Sequence, residues 1–209
     1  MNSLIFWMIL ALVPAFGWVQ CEKMLTSTQG VSISMFVLAG LFSATLTWLS
    51  ISAFIKNRNQ MTLKMVIVYI SGVIVYAAMI GVAFIYSHYQ WDSRDTLATS
   101  LVTVLVTVIV SIARSRGLKW YDPIVKGYIA LAVRVIPNMM MAQKILMCGG
   151  NGVSKWFIII FNALAFLRIA QNVTTSLKNG FDRERKGIMI GEVANWLSWL
   201  VVTVVWAMK

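Results

Sequence analysis

Three charged residues stand inside apolar stretches of this chain: Arg134, Arg168 and Glu192. Such a group at the centre of a membrane helix costs about 2.5–3.5 kcal/mol on insertion scales, so each is expected to face the protein interior and to pair. Glu192, Asn195, Trp196 and Trp199 recur at helical spacing and share one face. Arg168 shares a face with Gln171 and Asn172, Asn162 lies nearly two turns earlier, and Arg134 lies one turn before Pro137. These residues admit two readings. In the first, Asn162, Arg168, Asn195, Trp196 and Trp199 line a solute pocket, where an amide reads hydroxyls and an indole stacks on a flat ring. Trp48, Tyr69, Ser71 and Tyr76 are the candidates for its opposite wall. In the second, Arg168 and Glu192 form a buried ion pair that ties two helices together. The pair is the better reading for Arg168 and Glu192, and the pocket for Asn195 and Trp196.

Other chemistries find no support. There is no nucleophile elbow, phosphate loop or metalloprotease motif, so the chain does not read as an enzyme. The lone His88 has no Cys or His at ligand spacing, and no metal or cofactor is expected. Cys21 and Cys148 fall at matching ends of two apolar runs, which leaves a disulfide open. A retinal protein needs a lysine within its last helix, and only Lys186 and Lys209 flank that run. A channel would offer a ring of like charges or a carbonyl filter, and neither is evident.

The elements that must position these residues are membrane helices. The chain is 59% hydrophobic and 12% charged, against about 25% charged in a soluble domain. Its apolar residues lie in seven runs, at 3–20, 32–55, 63–87, 96–113, 125–147, 155–176 and 187–208. About 20 apolar residues cross a bilayer as a helix with every backbone group satisfied. The expectation is therefore an all-α integral membrane protein with seven transmembrane helices. The first run lacks a basic flank and a small-residue cleavage site, which favours a retained helix over a signal peptide.

The net charge of +11 is a topology signal rather than a sign of nucleic-acid binding. Lys56, Arg58 and Lys64, then Arg114, Arg116, Lys119 and Lys126, then Lys178, Arg183, Arg185 and Lys186 cluster at alternate loops. Short loops rich in Lys and Arg stay in the cytoplasm, which puts the N-terminus inside the cell membrane and the C-terminus outside. The partners expected are the lipid bilayer and a small-molecule solute, and a homo-oligomer stays open. Thr99, Thr103 and Thr107 form a small polar stripe suited to helix packing. Asp92, Arg94 and Asp95 read as a solvated cap at the start of the fourth helix.

One phrase occurs twice. Pro14, Gln20 and Gly30-Val31-Ser32 are matched by Pro137, Gln143 and Gly152-Val153-Ser154. Three helices reverse the chain an odd number of times, so an extra helix between two copies restores their orientation. The count gives two parallel three-helix repeats, 1–87 and 124–209, joined by a linker helix region, 88–123 (3+1+3). Proline removes a helical hydrogen bond and crowds the preceding turn, so Pro14 and Pro137 are matched candidates for kinks or hinges.

The stretch Arg134-Val135-Ile136-Pro137-Asn138, then Gln143-Lys144, Gly152-Val153-Ser154, Asn162 and Arg168, resembles the SWEET and PQ-loop superfamily, which includes the nicotinamide riboside transporters called PnuC. The run Trp91-Asp92-Ser93 is similar to a short stretch at a comparable place in PnuC proteins. This resemblance implies a facilitative transporter working by alternating access at the repeat interface. Its cargo would be a small polar solute, either a nucleoside-like vitamin such as nicotinamide riboside or a sugar. The alternative is a non-transporting membrane interaction or receptor protein of the same fold.

Overall fold

The apolar runs fold as helices in the computed structural model, which describes residues 3–209 apart from the side chains of Ser3, Lys178, Asn179 and Glu184. The helices are α1 (Ser3–Thr26), α2 (Ile33–Asn57), α3 (Gln60–Gly81), α4 (Ser93–Ser115), α5 (Pro123–Cys148), α6 (Lys155–Asn179) and α7 (Arg183–Ala207). Helix makes up 84% of the chain, with no strand among the described residues. All seven are long and apolar enough to cross a membrane, as a multi-pass membrane protein requires.

Short polar residues set the helix starts. Asn59 accepts from the Thr62 amide at 2.8 Å, Asp92 from Arg94 and Asp95 at 2.8 and 3.0 Å, and Asp182 from Arg185 at 2.8 Å. Asp122 accepts from the Ile124 amide at 3.0 Å and is followed by Pro123 at the first helical position. Each such cap contributes about 1 kcal/mol by satisfying an orphan amide. Most ends shift from the expected bounds by up to four residues, and two differences have a structural cause. α1 continues past residue 20 to Thr26, because Gln20 and Met24 are buried and have packing to gain from another turn. The third run divides into α3 and a π-helical turn, Val82–Tyr86. That turn lets the Ser87 hydroxyl reach the Met24 carbonyl at 2.7 Å before His88 redirects the chain at φ +48°.

Pro14 and Pro137 both lie inside uninterrupted helices. Each leaves the carbonyl four residues earlier, Leu10 or Val133, without its helical donor. Pro137 is buried, whereas Pro14 is on an exposed face.

α3 packs on α1 and α2, and α7 packs on α5 and α6. Between these groups α1 meets α6 and α2 meets α5, while α4 lies on α5 and α2. The most extensive contact is α5 with α7, and glycine makes it possible. A Cβ on Gly127 would sit 2.3 Å from the Gly187 carbonyl oxygen, and one on Gly187 would sit 2.0 Å from that of Pro123. Gly191 meets Ala130 in the same way, at 2.8 Å. Gly187 and Gly191 form a Gly-x-x-x-Gly pair, the spacing that lets membrane helices approach backbone to backbone.

Candidate functional site

Close approach of α5 and α7 carries Arg134 and Glu192 to the centre of the bundle. Each lies within a turn of a small contact residue, Ala130 and Gly191 respectively. Arg134 Nη1 donates to Glu192 Oε1 at 2.7 Å, and Arg168 Nη1 stands 3.8 Å from the same oxygen. Glu192 thus lies between two guanidinium groups, with the hydrogen bond going to Arg134 and the longer contact to Arg168. Arg134 also lies over the Phe42 ring, 5.5 Å from its centroid. The other carboxylate oxygen, Oε2, is buried and finds no hydrogen-bond partner among the described residues.

These charges line three neighbouring cavities, all of which Tyr69 touches. One of about 230 Å³ lies between α2, α3, α5 and α7, and reaches Thr62, Pro123, Lys126 and Gly187 near the basic loops. A second of about 200 Å³ lies between α1, α3, α6 and α7, and reaches Met61, Asp182 and Arg185 at the same end. The third, about 50 Å³, lies deeper. Phe16, Tyr76, Phe161 and Trp199 face it together with Arg134, Asn138, Arg168 and Asn195. Phe161 and Trp199 stack at 4.3 Å between ring centroids. Asn138 donates to Ser198 Oγ at 2.7 Å and to Asn195 Oδ1 at 3.4 Å, which fixes the amides of α5 and α7 against each other. The Trp199 indole N–H is buried without an acceptor among the described residues.

Other candidate residues lie elsewhere. Trp48 is 70% exposed and points outward, because the cavity-lining positions of α2 are Phe42, Leu46, Leu49, Ser50 and Ala53. Trp196 packs on Phe166 of α6, with ring centroids 6.3 Å apart, and is absent from the cavity wall. Asn162 donates to Thr203 Oγ1 at 2.9 Å and ties α6 to α7. Cys21 and Cys148 are both free thiols.

The end opposite the basic loops is closed by contacts that cross the bundle. Gln20 of α1 donates to the Gly152 carbonyl at 2.9 Å and accepts from the Ser154 amide at 3.0 Å, capping the start of α6. Asp95 of α4 does the same for α2, accepting from the Ser34 amide at 3.1 Å and the Ser32 hydroxyl at 3.0 Å. Its second oxygen takes Lys144 of α5 at 2.8 Å and the Tyr89 hydroxyl at 2.5 Å. Lys144 also donates to the Tyr89 oxygen and stands 3.0 Å from Asp92. Asp95 is therefore a fully buried ion-pair partner rather than part of a solvated cap, which is left to Asp92 alone. Burial, and then the hydrogen bond to Asp95, push the Tyr89 phenol well above its ordinary range, so it stays a proton donor.

Above these side chains the 27–32 and 149–154 loops interlock. The Gly152 amide donates to the Gln29 carbonyl at 2.9 Å, Asn151 donates to Gln29 Oε1 at 3.1 Å, and Gln29 donates to the Cys148 carbonyl. Gly30, at φ +79°, has no room for a Cβ, which would lie 2.4 Å from the Gly149 carbonyl oxygen.

The sequence marks Arg134 as an intramembrane charge without assigning it to the pocket, and it gives no sign of the places taken by Lys144, Asp95, Tyr89 and Ser198. The signal for Gln20 is its place in the doubled phrase, yet its counterpart Gln143 is exposed and the neighbouring Lys144 is buried. Compared with known proteins, the chain matches no family model, and no curated protein or solved structure matches it.

Proposed function

We propose that this chain is a facilitative membrane transporter of a small polar solute, working by alternating access, with Asn138, Arg168, Asn195 and Trp199 facing the cargo. The observation that carries the reading is the asymmetry of the cavities. Two cavities beside the deep one reach the basic-loop end, while the opposite end is closed by cross-bundle hydrogen bonds from Gln20, Gln29 and Lys144 and by the buried apolar cluster around Phe36 and Phe157. A chamber inside a bundle that holds charged and amide groups, open to one side and closed to the other, is what a carrier needs in one of its two states.

The reading includes a 3+1+3 arrangement, with 1–87 and 124–209 as parallel repeats. It draws support from the neighbour pattern, since α1–α3 and α2–α3 have counterparts in α5–α7 and α6–α7. The two contacts between halves, α1 with α6 and α2 with α5, exchange under the same twofold relation. The cell membrane, with the basic loops in the cytoplasm, completes it. By resemblance the cargo classes to try first are nucleoside-like vitamins and sugars.

The test is uptake into proteoliposomes of nicotinamide riboside, thiamine, monosaccharides and their charged derivatives. Saturable uptake of any of them supports the proposal. Binding without uptake across the panel favours a receptor or interaction protein instead.

A further inference from the structure

We infer that the cargo is an anion, with a carboxylate or phosphate seated on Arg168 and a neighbouring hydrogen-bond donor meeting Glu192. The inference rests on the transporter reading above and narrows its cargo.

The charge lining the cavities is unbalanced. Among the described residues, Lys126, Arg134, Arg168 and Arg185 face two carboxylates, Asp182 and Glu192. Arg185 is held by Asp182 at 3.1 Å and by the Gly180 carbonyl at 2.6 Å, and Arg134 is held by Glu192 at 2.7 Å. Arg168 remains. Its Nη1 is 3.8 Å from Glu192, beyond hydrogen-bond length, and its side chain keeps 29% of its exposure. It touches both the deep chamber and one mouth chamber. A surplus guanidinium in a low-dielectric setting attracts a negative group, and its planar fork matches the two oxygens of a carboxylate or phosphate. A neutral or cationic cargo would leave the half-buried Arg168 with only its long contact to a Glu192 that already bonds Arg134.

Glu192 supplies an independent observation. Its buried Oε2 has no donor among the described residues, an arrangement that is costly unless a ligand or water supplies one. A hydroxyl or ammonium close to the anionic group of the cargo satisfies it. The unpaired Trp199 indole N–H, in the deep chamber, offers one more donor to an acceptor further along the molecule. Lys126 at the mouth raises the local concentration of anions on the way in.

The test uses the full chain in proteoliposomes and matched pairs of solutes: nicotinamide riboside and its 5′-phosphate, glucose and glucose 6-phosphate, lactamide and lactate. The charged member of at least one pair should be taken up in preference to the neutral or cationic one, and a potential that is positive inside the vesicle should speed its entry. Arg168→Gln should weaken binding of that anion by roughly tenfold or more without lowering the melting temperature, and Arg168→Lys should recover part of the loss. Uptake of the neutral or cationic partners alone, or of both partners equally, overturns the anion assignment and leaves the transporter standing. If no member of any pair binds or enters, the transporter reading fails with it. Should Arg168→Gln not fold, the matched pairs and the potential decide on the unmodified protein.

Discussion

Glu192 has two arginines to choose from, and the choice is made by backbone rather than by charge. The sequence reading pairs Glu192 with Arg168, a contact the structure keeps at 3.8 Å, but spacing along a chain says nothing of which helices touch and gives no sign that Arg134 is the nearer partner. α7 lies closer to α5 because Gly187 and Gly191 remove the side chains that would keep them apart, so Arg134 arrives first, at 2.7 Å. Breaking a buried pair costs about 3–5 kcal/mol, because the survivor keeps its charge without its partner. Arg134→Met should therefore lower unfolding stability in detergent by about that amount, and Arg134→Met with Glu192→Leu should regain most of it. No recovery in the double variant would mean that the two residues act independently. Neighbouring residues on α7 divide in a similar way. Asn195 faces the deep chamber and Trp196 packs on Phe166, so Asn195→Ala should impair cargo binding in a titration while Trp196→Ala leaves it largely intact. In the sequence the two residues are equivalent, being adjacent on one helix; the direction of α6 separates them.

At the scale of elements, the helices are legible because a bilayer demands long apolar runs, and seven such runs are present. Their ends are less legible where polar residues are buried. Residues 20–23, Gln-Cys-Glu-Lys, look like a loop, yet Gln20 is enclosed because it caps α6 from across the bundle, 134 positions from the Ser154 amide it accepts. Lys144 and Asp95 are 49 residues apart and each resembles an ordinary interfacial charge, so their union at 2.8 Å has no local signature. The α5–α7 seam does have one, the Gly-x-x-x-Gly at 187 and 191, whose meaning depends on which helix it faces. Gly187→Leu forces its new side chain into the Pro123 carbonyl, and overpacking of this kind costs about 1–3 kcal/mol or more. The expected result is a lower melting temperature together with a weakened Arg134–Glu192 pair, since both depend on one approach. A variant that melts like the parent protein would show that α5 and α7 stand further apart.

For the whole molecule, the doubled phrase acquires a physical role at the sealed end. Each Gly-Val-Ser segment opens a helix whose first amides are satisfied by another part of the chain: Asp95 serves α2, and Gln20 serves α6. Neither serine side chain caps its own helix. Helix starts that depend on distant residues can be released together when the halves part, and the hydrogen bonds that break are individually modest. The apolar cluster beneath them, in which Met24, Val31, Ile33 and Phe36 pack with Met141, Ile145, Val153 and Phe157, must part with them. The buried Lys144–Asp95–Tyr89 group resists this opening, because separating Lys144 from Asp95 leaves each with unpaired charge and removing Tyr89 costs Asp95 a hydrogen bond. The proposed alternating access would thus require the 27–32 and 149–154 loops to separate and the ion cluster to become hydrated in every cycle. Joining those loops should stop it. With Cys21 and Cys148 changed to Ser, the variant Gln29→Cys with Asn151→Cys replaces the contact now made at 3.1 Å. Oxidation should abolish uptake while leaving equilibrium binding of cargo from the basic-loop side in place, and reduction should restore uptake. If the oxidised protein, with its crosslink verified by mass, transports at the parent rate, the cargo leaves by a route that does not part these loops.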